Sequence, residues 1–231
     1  GEMLNVLVKH YDEPFADSSA VPTLYLSRMT RQHVTVALSG DGADELFGGY
    51  RRYRLALAEH TARQYMPRWF RRTAVAAMAR IYPKMDWAPQ VVRAKATLRG
   101  ISLDLGEAYF AAMSGFGFGL LDRVLSPDLQ HQLHGYSPRE DFAGRFAKYR
   151  HLSALQQLQA VDLETYLPGD ILVKVDRATM AYSLEARAPW LDYRVGELAG
   201  RMPADFKIRG DSGKFIFKSV MKPHLPGEIF T

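Results

Sequence analysis

Along most of this chain apolar residues return every three or four positions, the spacing of a helix that buries one face. In 152–166, Leu152, Leu155, Leu158 and Val161 or Leu163 recur at that interval, and related patterns predict helices over 2–9, 21–31, 51–65, 67–82, 90–99, 105–113, 170–183, 193–202 and 213–222. Pro22, Pro67 and the cap-plus-proline run Ser126-Pro127-Asp128 suit first turns. Gly100 predicts a stop, Pro168-Gly169-Asp170 a break between helices, and 83–89 a connection. Gly115-Phe116-Gly117-Phe118-Gly119 is too rich in glycine for regular structure and predicts a loop. One run departs from the helical period: Val34-Thr35-Val36-Ala37-Leu38 is short, apolar and β-branched, which predicts a buried strand. The pattern describes a predominantly α-helical protein attached to a remnant of a parallel sheet, with no internal repeat or low-complexity segment.

Directly after that strand comes Ser39-Gly40-Asp41-Gly42-Ala43-Asp44-Glu45-Leu46-Phe47-Gly48-Gly49-Tyr50, with helix expected from Asp44 through the Arg/Leu/Ala-rich stretch beyond Tyr50. The segment thus sits at the carboxyl end of a strand, where open α/β sheets bind their ligands. Gly40 and Gly42 permit close backbone approach, and backbone N–H groups opening a helix attract phosphate oxygens. Three acids at the same place would repel a phosphate unless a cation lay between, and Mg²⁺ held by one or two carboxylates plus phosphate oxygens resolves the conflict. Helix capping and the macrodipole account for one or two of the acids but not for the glycines on both sides. Further on, a helix over 170–183 places Lys174 and Arg177 at i and i+3 on one face, where two cations can grip one anion.

Ser39 to Tyr50 closely resembles a signature of the glutamine-dependent asparagine synthetase family. A second block, Val173-Lys174-Val175-Asp176-Arg177-Ala178-Thr179-Met180-Ala181-Tyr182-Ser183-Leu184-Glu185-Ala186-Arg187-Ala188-Pro189-Trp190-Leu191-Asp192, is similar to that family's basic and Glu-x-Arg-x-Pro region. Asp12-Glu13-Pro14-Phe15-Ala16-Asp17-Ser18-Ser19, and Gly213-Lys214 with Lys218, also agree, so the resemblance spans nearly the whole chain in the expected order. It implies a mainly α-helical fold carrying the remnant of an adenine-nucleotide α-hydrolase-like parallel sheet. It also implies an amidotransferase ligase that activates a carboxylate, aspartate or similar, with Mg-ATP as an acyl-adenylate, releases pyrophosphate, and lets ammonia from a glutaminase domain attack.

Under the resemblance Asp44 is the Mg²⁺ ligand, and Ser39, Gly40, Asp41 and Gly42 contact the nucleotide. Asp41 stands where the family often has Glu, beside the intermediate, able to accept a proton from the attacking amine but one methylene shorter. Lys174 and Arg177 match the basic pair on the pyrophosphate side, where oriented cations stabilise charge that develops as the bond breaks, and Lys214 matches a late lysine that reaches the reacting centre. Their alternatives are a surface salt bridge with Asp170 or Asp176 for the pair and a solvated lysine for Lys214. The family's earlier Ser-Gly-Gly-x-Asp-Ser phosphate loop and its amino-terminal catalytic cysteine do not occur in this sequence. The 231 residues are therefore expected to be the carboxyl-terminal portion of one synthetase domain from a longer protein, inactive by themselves. Relatives of this fold that close β-lactam rings or cyclise peptides with an internal amine remain open alternatives.

Composition refines this reading. With 47% hydrophobic and 24% charged residues the chain suits a folded core, and no apolar stretch approaches the ~20 residues that span a bilayer. Zero cysteine excludes disulfides and thiolate metal sites and accords with a cytoplasmic setting. The net charge of +5 is uneven: residues 51–100 hold 12 Lys or Arg against Glu59 and Asp86, a local +10, and the other 181 residues carry −5. That segment raises a different class of function, a non-catalytic basic module for nucleic acid or an acidic partner. Its helical interleaving with Leu, Ala, Tyr, Trp and Met instead favours amphipathic helices with a solvated cationic face, so nucleic acid is not the expected partner.

Three smaller features complete the reading. Glu185, Arg187 and Pro189 fall at alternate positions, and the first two are expected to form a buried pair that fixes a loop. His131 and His134 lack any nearby cysteine or second ligand pair for zinc, and Ser18-Ser19 has no histidine placed for a nucleophilic triad. An exposed strand edge and apolar surface leave homo-oligomer formation open.

Overall fold

The computed structural model describes residues 2–83, 94–114 and 120–230. Contacts divide the chain into two units, one made of residues up to Gly49 together with Gln159 onward, the other of Tyr50–Leu158. In the first unit, α1 (Glu2–His10) and α2 (Ala20–Arg31) lead to strand β1 (Val36–Leu38) and the short helix α3 (Ala43–Phe47). The second unit holds α4 (Arg51–Gln64), α5 (Arg68–Phe70), a π turn (Arg71–Val75), α6 (Ala76–Ile81), α7 (Ala94–Ser102), α8 (Leu105–Met113), α9 (Leu120–Val124), α10 (Pro127–Gln132) and α11 (Pro138–Lys148). The chain returns through α12 (Ala154–Glu164) to a π turn (Leu167–Leu172), α13 (Val173–Met180), β2 (Glu185–Arg187), α14 (Tyr193–Arg201), α15 (Ala204–Lys207), the β3 (Ile208–Arg209) and β4 (Ser212–Gly213) hairpin, and α16 (Phe215–Met221). The protein is mainly helical with a small parallel sheet, as its apolar period predicts.

β1 and β2 pair in parallel, with Val36 opposite Glu185 and Leu38 opposite Arg187. The expected buried strand over 34–38 is shorter, and it is not buried: Leu38 is 75% exposed, and Val36 is exposed as well. β2 is the partner of β1, and the side chains of Val36 and Leu38 face away from packed structure while Ala37 turns partly inward. The core of this unit lies under the helices instead. Met3, Leu24 and Ala178 join α1, α2 and α13, and Leu46, Phe47 and Ala199 join α3 to α14, with Trp190 and Ile216 packed against them.

Three further expectations change. Pro168 does not break the chain between helices, because a proline lacking an N–H is absorbed by the π turn Leu167–Leu172, which runs straight into α13. The motif helix does not continue through Tyr50, since Gly48 takes a left-handed φ of 68° and ends α3. Gly100 does not stop a helix but lies inside α7, where a Cβ would collide with the Glu59 carboxylate of α4. Glycine there permits close helix packing, and Arg63 of α4 donates from Nε and Nη2 to the Gly100 carbonyl, each at 3.2 Å. The expected loop at 115–119, and the part of the 90–99 helix before Ala94, lie outside the described residues.

In the second unit the core is aromatic: Tyr109 stacks on Tyr53 and on Phe142, and meets Phe146 edge-on. The arginines of the basic segment have partners close by. Arg68, Arg71 and Arg72 all reach Asp104, Arg72 also pairs with Glu107 at 2.7 Å, and Arg63 pairs with Glu59. Asp104 and Glu107 at the same time form the capping box of α8. These four of the segment's 12 basic residues are thus paired with carboxylates within the fold. No helix among the described residues is long and apolar enough to cross a membrane.

Candidate functional site

The sheet delivers the motif. Ser39 N–H donates to the Arg187 carbonyl at 2.8 Å, one step beyond the β1–β2 ladder, and the chain then turns through Gly40 and Asp41 into α3. Gly42 has a φ of 87°, and a Cβ on it would run into the Leu191 side chain, so a residue with a side chain there is strained in its backbone and has to push Leu191 aside. Beside this turn lies a cleft of about 660 Å³ whose walls include Ser39, Asp41, Asp176, Thr179, Glu185 and Leu191. Ser39 Oγ is buried and lacks a hydrogen-bond partner, an orphan hydroxyl available to a ligand.

A second cluster gathers around Asp44. Its Oδ1 lies 3.0 Å from Lys214 Nζ, and the two side chains occupy the place where Gly49 would carry a Cβ. Lys214 is held there by its own backbone: it adopts a left-handed φ of 54°, and its N–H donates to the Phe47 carbonyl at 3.1 Å. The hairpin β3–β4 antecedes it, with Ile208 opposite Gly213. A short β-turn segment of two-residue strands carries no apolar alternation, which is why the sequence pattern predicts only a helix from 213.

The basic residues of α13 face the loop between α1 and α2. Lys174 Nζ meets Asp17 Oδ2 at 2.6 Å, and Arg177 Nη2 meets Asp12 Oδ2 at 2.6 Å. Partial burial pushes the Asp17 carboxyl up, but hydrogen bonds from Lys174 and from the Ser19 hydroxyl and N–H outweigh it and hold it down at about 2. Tyr11 closes the arrangement, its hydroxyl donating to the Lys174 carbonyl at 2.9 Å. Asp170 lies near the same group, and burial followed by the charge of Asp17 raises its carboxyl. The cations therefore pair with Asp17 and Asp12 instead of Asp170 or Asp176. The acidic residues of the α1–α2 loop were readable as a segment, but nothing in their spacing names α13 as their partner.

These placements sort the candidate residues. Ser39 and Asp41 share the cleft with the Asp176 and Thr179 side of α13, Asp44 and Lys214 form one pair, and Lys174 and Arg177 lie on another side of α13, each with its own carboxylate. Glu185 and Arg187 do pair, at 2.6 Å, but their side chains are more than half exposed. The expected buried pair is corrected for a physical reason: both residues lie on β2, two apart, so they project to one face of the sheet, and Ala186 alone turns the other way.

Among the described residues no three His, Cys, Asp or Glu side chains come together as a metal cage. The donor set at the motif nevertheless fits Mg²⁺, which takes one or two carboxylates and fills its remaining positions with phosphate and water oxygens. Asp44 supplies an accessible carboxylate, and the orphan Ser39 hydroxyl and the open space beside Gly40 leave room for a phosphorylated ligand.

The asparagine synthase family model matches residues 2–231. A putative glutamine-hydrolysing asparagine synthetase of Mycobacterium tuberculosis is 37% identical over 226 residues, covering 96% of this chain and 32% of that protein. Glutamine-hydrolysing asparagine synthetase 1 of Bacillus subtilis is 32% identical over 231 residues, covering 99% of this chain and 35% of that protein. A putative asparagine synthetase of Methanocaldococcus jannaschii is 65% identical over 40 residues, 17% of this chain. The chain spans about a third of the length of the two longer matches, and no solved structure matches it. With the family model extending over residues 2–231, the chain belongs to the asparagine synthase family.

Proposed function

We propose that this chain supplies the magnesium and pyrophosphate side of an ATP-dependent, amide-forming ligase. The observation that carries the reading is the Asp44–Lys214 pair, an accessible carboxylate and an ammonium 3.0 Å apart against a glycine. The activity is that of a carbon–nitrogen ligase: a carboxylate, aspartate or similar, attacks the α-phosphate of ATP, the bond to pyrophosphate breaks, and ammonia then displaces AMP from the acyl-adenylate. Residues 1–231 form part of one synthetase domain with an adenine-nucleotide α-hydrolase-like sheet, and ammonia comes from a glutaminase domain.

Asp44 would hold the Mg²⁺, which would supply positive charge to neutralise the pyrophosphate leaving group. Lys214 Nζ stands next to that carboxylate and adds a second positive charge where the phosphate bond breaks. Lys174 and Arg177 bind pyrophosphate oxygens by exchanging Asp17 and Asp12 for them. Ser39 Oγ, which has no partner, gives its hydrogen to the nucleotide, and Asp41, in the wall of the cleft, takes the proton from the attacking amine.

Titration of the chain with pyrophosphate in a calorimeter, with and without Mg²⁺, tests this. Binding that requires Mg²⁺ and is lost in Asp44→Ala and in Lys174→Ala/Arg177→Ala supports the assignment. Binding that ignores Mg²⁺ and survives both changes contradicts it.

A further inference from the structure

Helix α3 has five residues, too few to satisfy its own terminal carbonyls. Gln159, on α12, satisfies two of them: its side-chain amide donates to the Glu45 and Leu46 carbonyls. The other end of that amide, Oε1, accepts from Lys207 Nζ at 2.8 Å. Lys207 is 3% exposed and Gln159 4%. A donor on Oε1 leaves the amide one orientation, with Nε2 toward the carbonyls. Burying an ammonium is costly unless it is hydrogen-bonded, and burial lowers the Lys207 ammonium to about 8.

The same stretch of chain grips the end of α3 from a second direction. Lys207 ends α15 and runs into β3, where Ile208 lies so close to Gly48 that a Cβ there would approach its Cγ1 to 2.8 Å. A Cβ on Gly213 would come within 2.5 Å of the Gly48 carbonyl. Gly49 N–H, in turn, donates to the Asp44 carbonyl at 2.9 Å, and Lys214 N–H to that of Phe47. The orientation of the last turn of α3 therefore sets where the Asp44 carboxylate meets Lys214.

We propose that Lys207 and Gln159 are positioning residues for the Asp44–Lys214 pair, acting as one relay in which Lys207 fixes the Gln159 amide and the amide fixes the end of α3. This rests on the reading of Asp44 and Lys214 given above. Neither residue touches the ligand, and the Lys207 ammonium is not a charge presented to pyrophosphate.

Amide hydrogen exchange and magnesium pyrophosphate titration on the whole chain test the relay with Lys207→Met, Gln159→Met and the double variant. The expected result is exchange at the Gly49 and Lys214 amides at least ten-fold faster in each single variant, with α14 amides unchanged, and affinity at least five-fold weaker. The double variant is expected to be no worse than either single one, since both interrupt the same relay. Unchanged exchange at Gly49 and Lys214, or additive losses, overturns the proposal. Should Lys207→Met not fold, Gln159→Glu keeps the volume and the acceptor for Lys207 and replaces the two donors with a carboxylate oxygen that cannot bond the Glu45 and Leu46 carbonyls. Faster exchange there supports the relay, and native exchange overturns it. A native chain that does not bind magnesium pyrophosphate overturns the reading of Asp44, while the exchange results still decide the relay.

Discussion

Lys214 Nζ reaches Asp44 Oδ1 at 3.0 Å because Gly49 has no side chain, for any Cβ at that residue would fall on the Asp44 carboxylate and within 2.5 Å of Lys214 Cε. The glycine pair that closes the motif is thus a steric requirement of the ion pair, and Gly48 separately supplies the left-handed turn that ends α3.

Gly49→Ala tests that requirement. The added methyl forces Asp44 and Lys214 apart while leaving both in the chain. Magnesium pyrophosphate affinity is expected to fall at least ten-fold, about 1.4 kcal/mol, with the far-ultraviolet circular dichroism of the native chain retained. Native affinity in a folded Gly49→Ala chain would contradict the geometry.

A separate steric lock operates in the second unit, where Gly100 lies against Glu59. Gly100→Ala is expected to destabilise the chain by up to about 2 kcal/mol, the cost of inserting a methyl against Glu59 less the ~1 kcal/mol that alanine gains over glycine inside a helix. Urea unfolding measures it.

Burial pushes the Glu59 carboxyl up to about 7, and the nearby Arg63 guanidinium only partly offsets this. The folded chain then binds a proton more tightly than the unfolded chain, whose carboxyl titrates near its ordinary 4.5. Stability falls as pH rises from about 4.5 to about 7. Glu59→Gln, which cannot ionise, is expected to remove that slope, so the difference in unfolding free energy between native chain and variant changes across this window. A difference that stays flat from pH 4 to 8 would show that Glu59 titrates normally.

Lys207 gives the complementary case. Its folded ammonium titrates at about 8 because of burial, against 10.5 when unfolded. Between those values the unfolded chain holds more protons, so the contribution of Lys207 to stability rises with pH there. Comparison with Lys207→Met isolates that contribution from the other lysines and tyrosines, and a variant with the same pH dependence as the native chain would refute it.

How much of this was legible in the sequence depends on how local the physics is. The helices at 105–113 and 193–202 were readable because their caps, Asp104 with Glu107 and Asp192, lie within a few residues of the apolar run they begin. The turn that opens the motif was readable because Gly40 and Gly42 follow directly on the β-branched run that ends in β1. β2 was not, since Glu185-Ala186-Arg187 has charged residues on its open face and one alanine behind, a pattern that no alternation rule selects. Nor was Gly100: a glycine that ends a helix and one that admits a neighbouring helix look alike until Glu59 is seen beside it. The partners of Lys174 and Arg177, Asp17 and Asp12, are more than 150 positions away in the chain, and only the fold of α2 on α13 brings them together. Gln159 and Lys207 carry no motif at all.

Pyrophosphate is expected to bring a divalent cation to Asp44, and paramagnetic Mn²⁺ used in place of Mg²⁺ reports this directly in amide resonances. With pyrophosphate present, Mn²⁺ is expected to broaden the signals of residues 40–49 and of Gly213 and Lys214 most strongly, with the effect falling off with distance from Asp44, and Asp44→Ala is expected to abolish it. Broadening centred elsewhere in the chain, or broadening at these residues that persists in Asp44→Ala, would contradict the assignment.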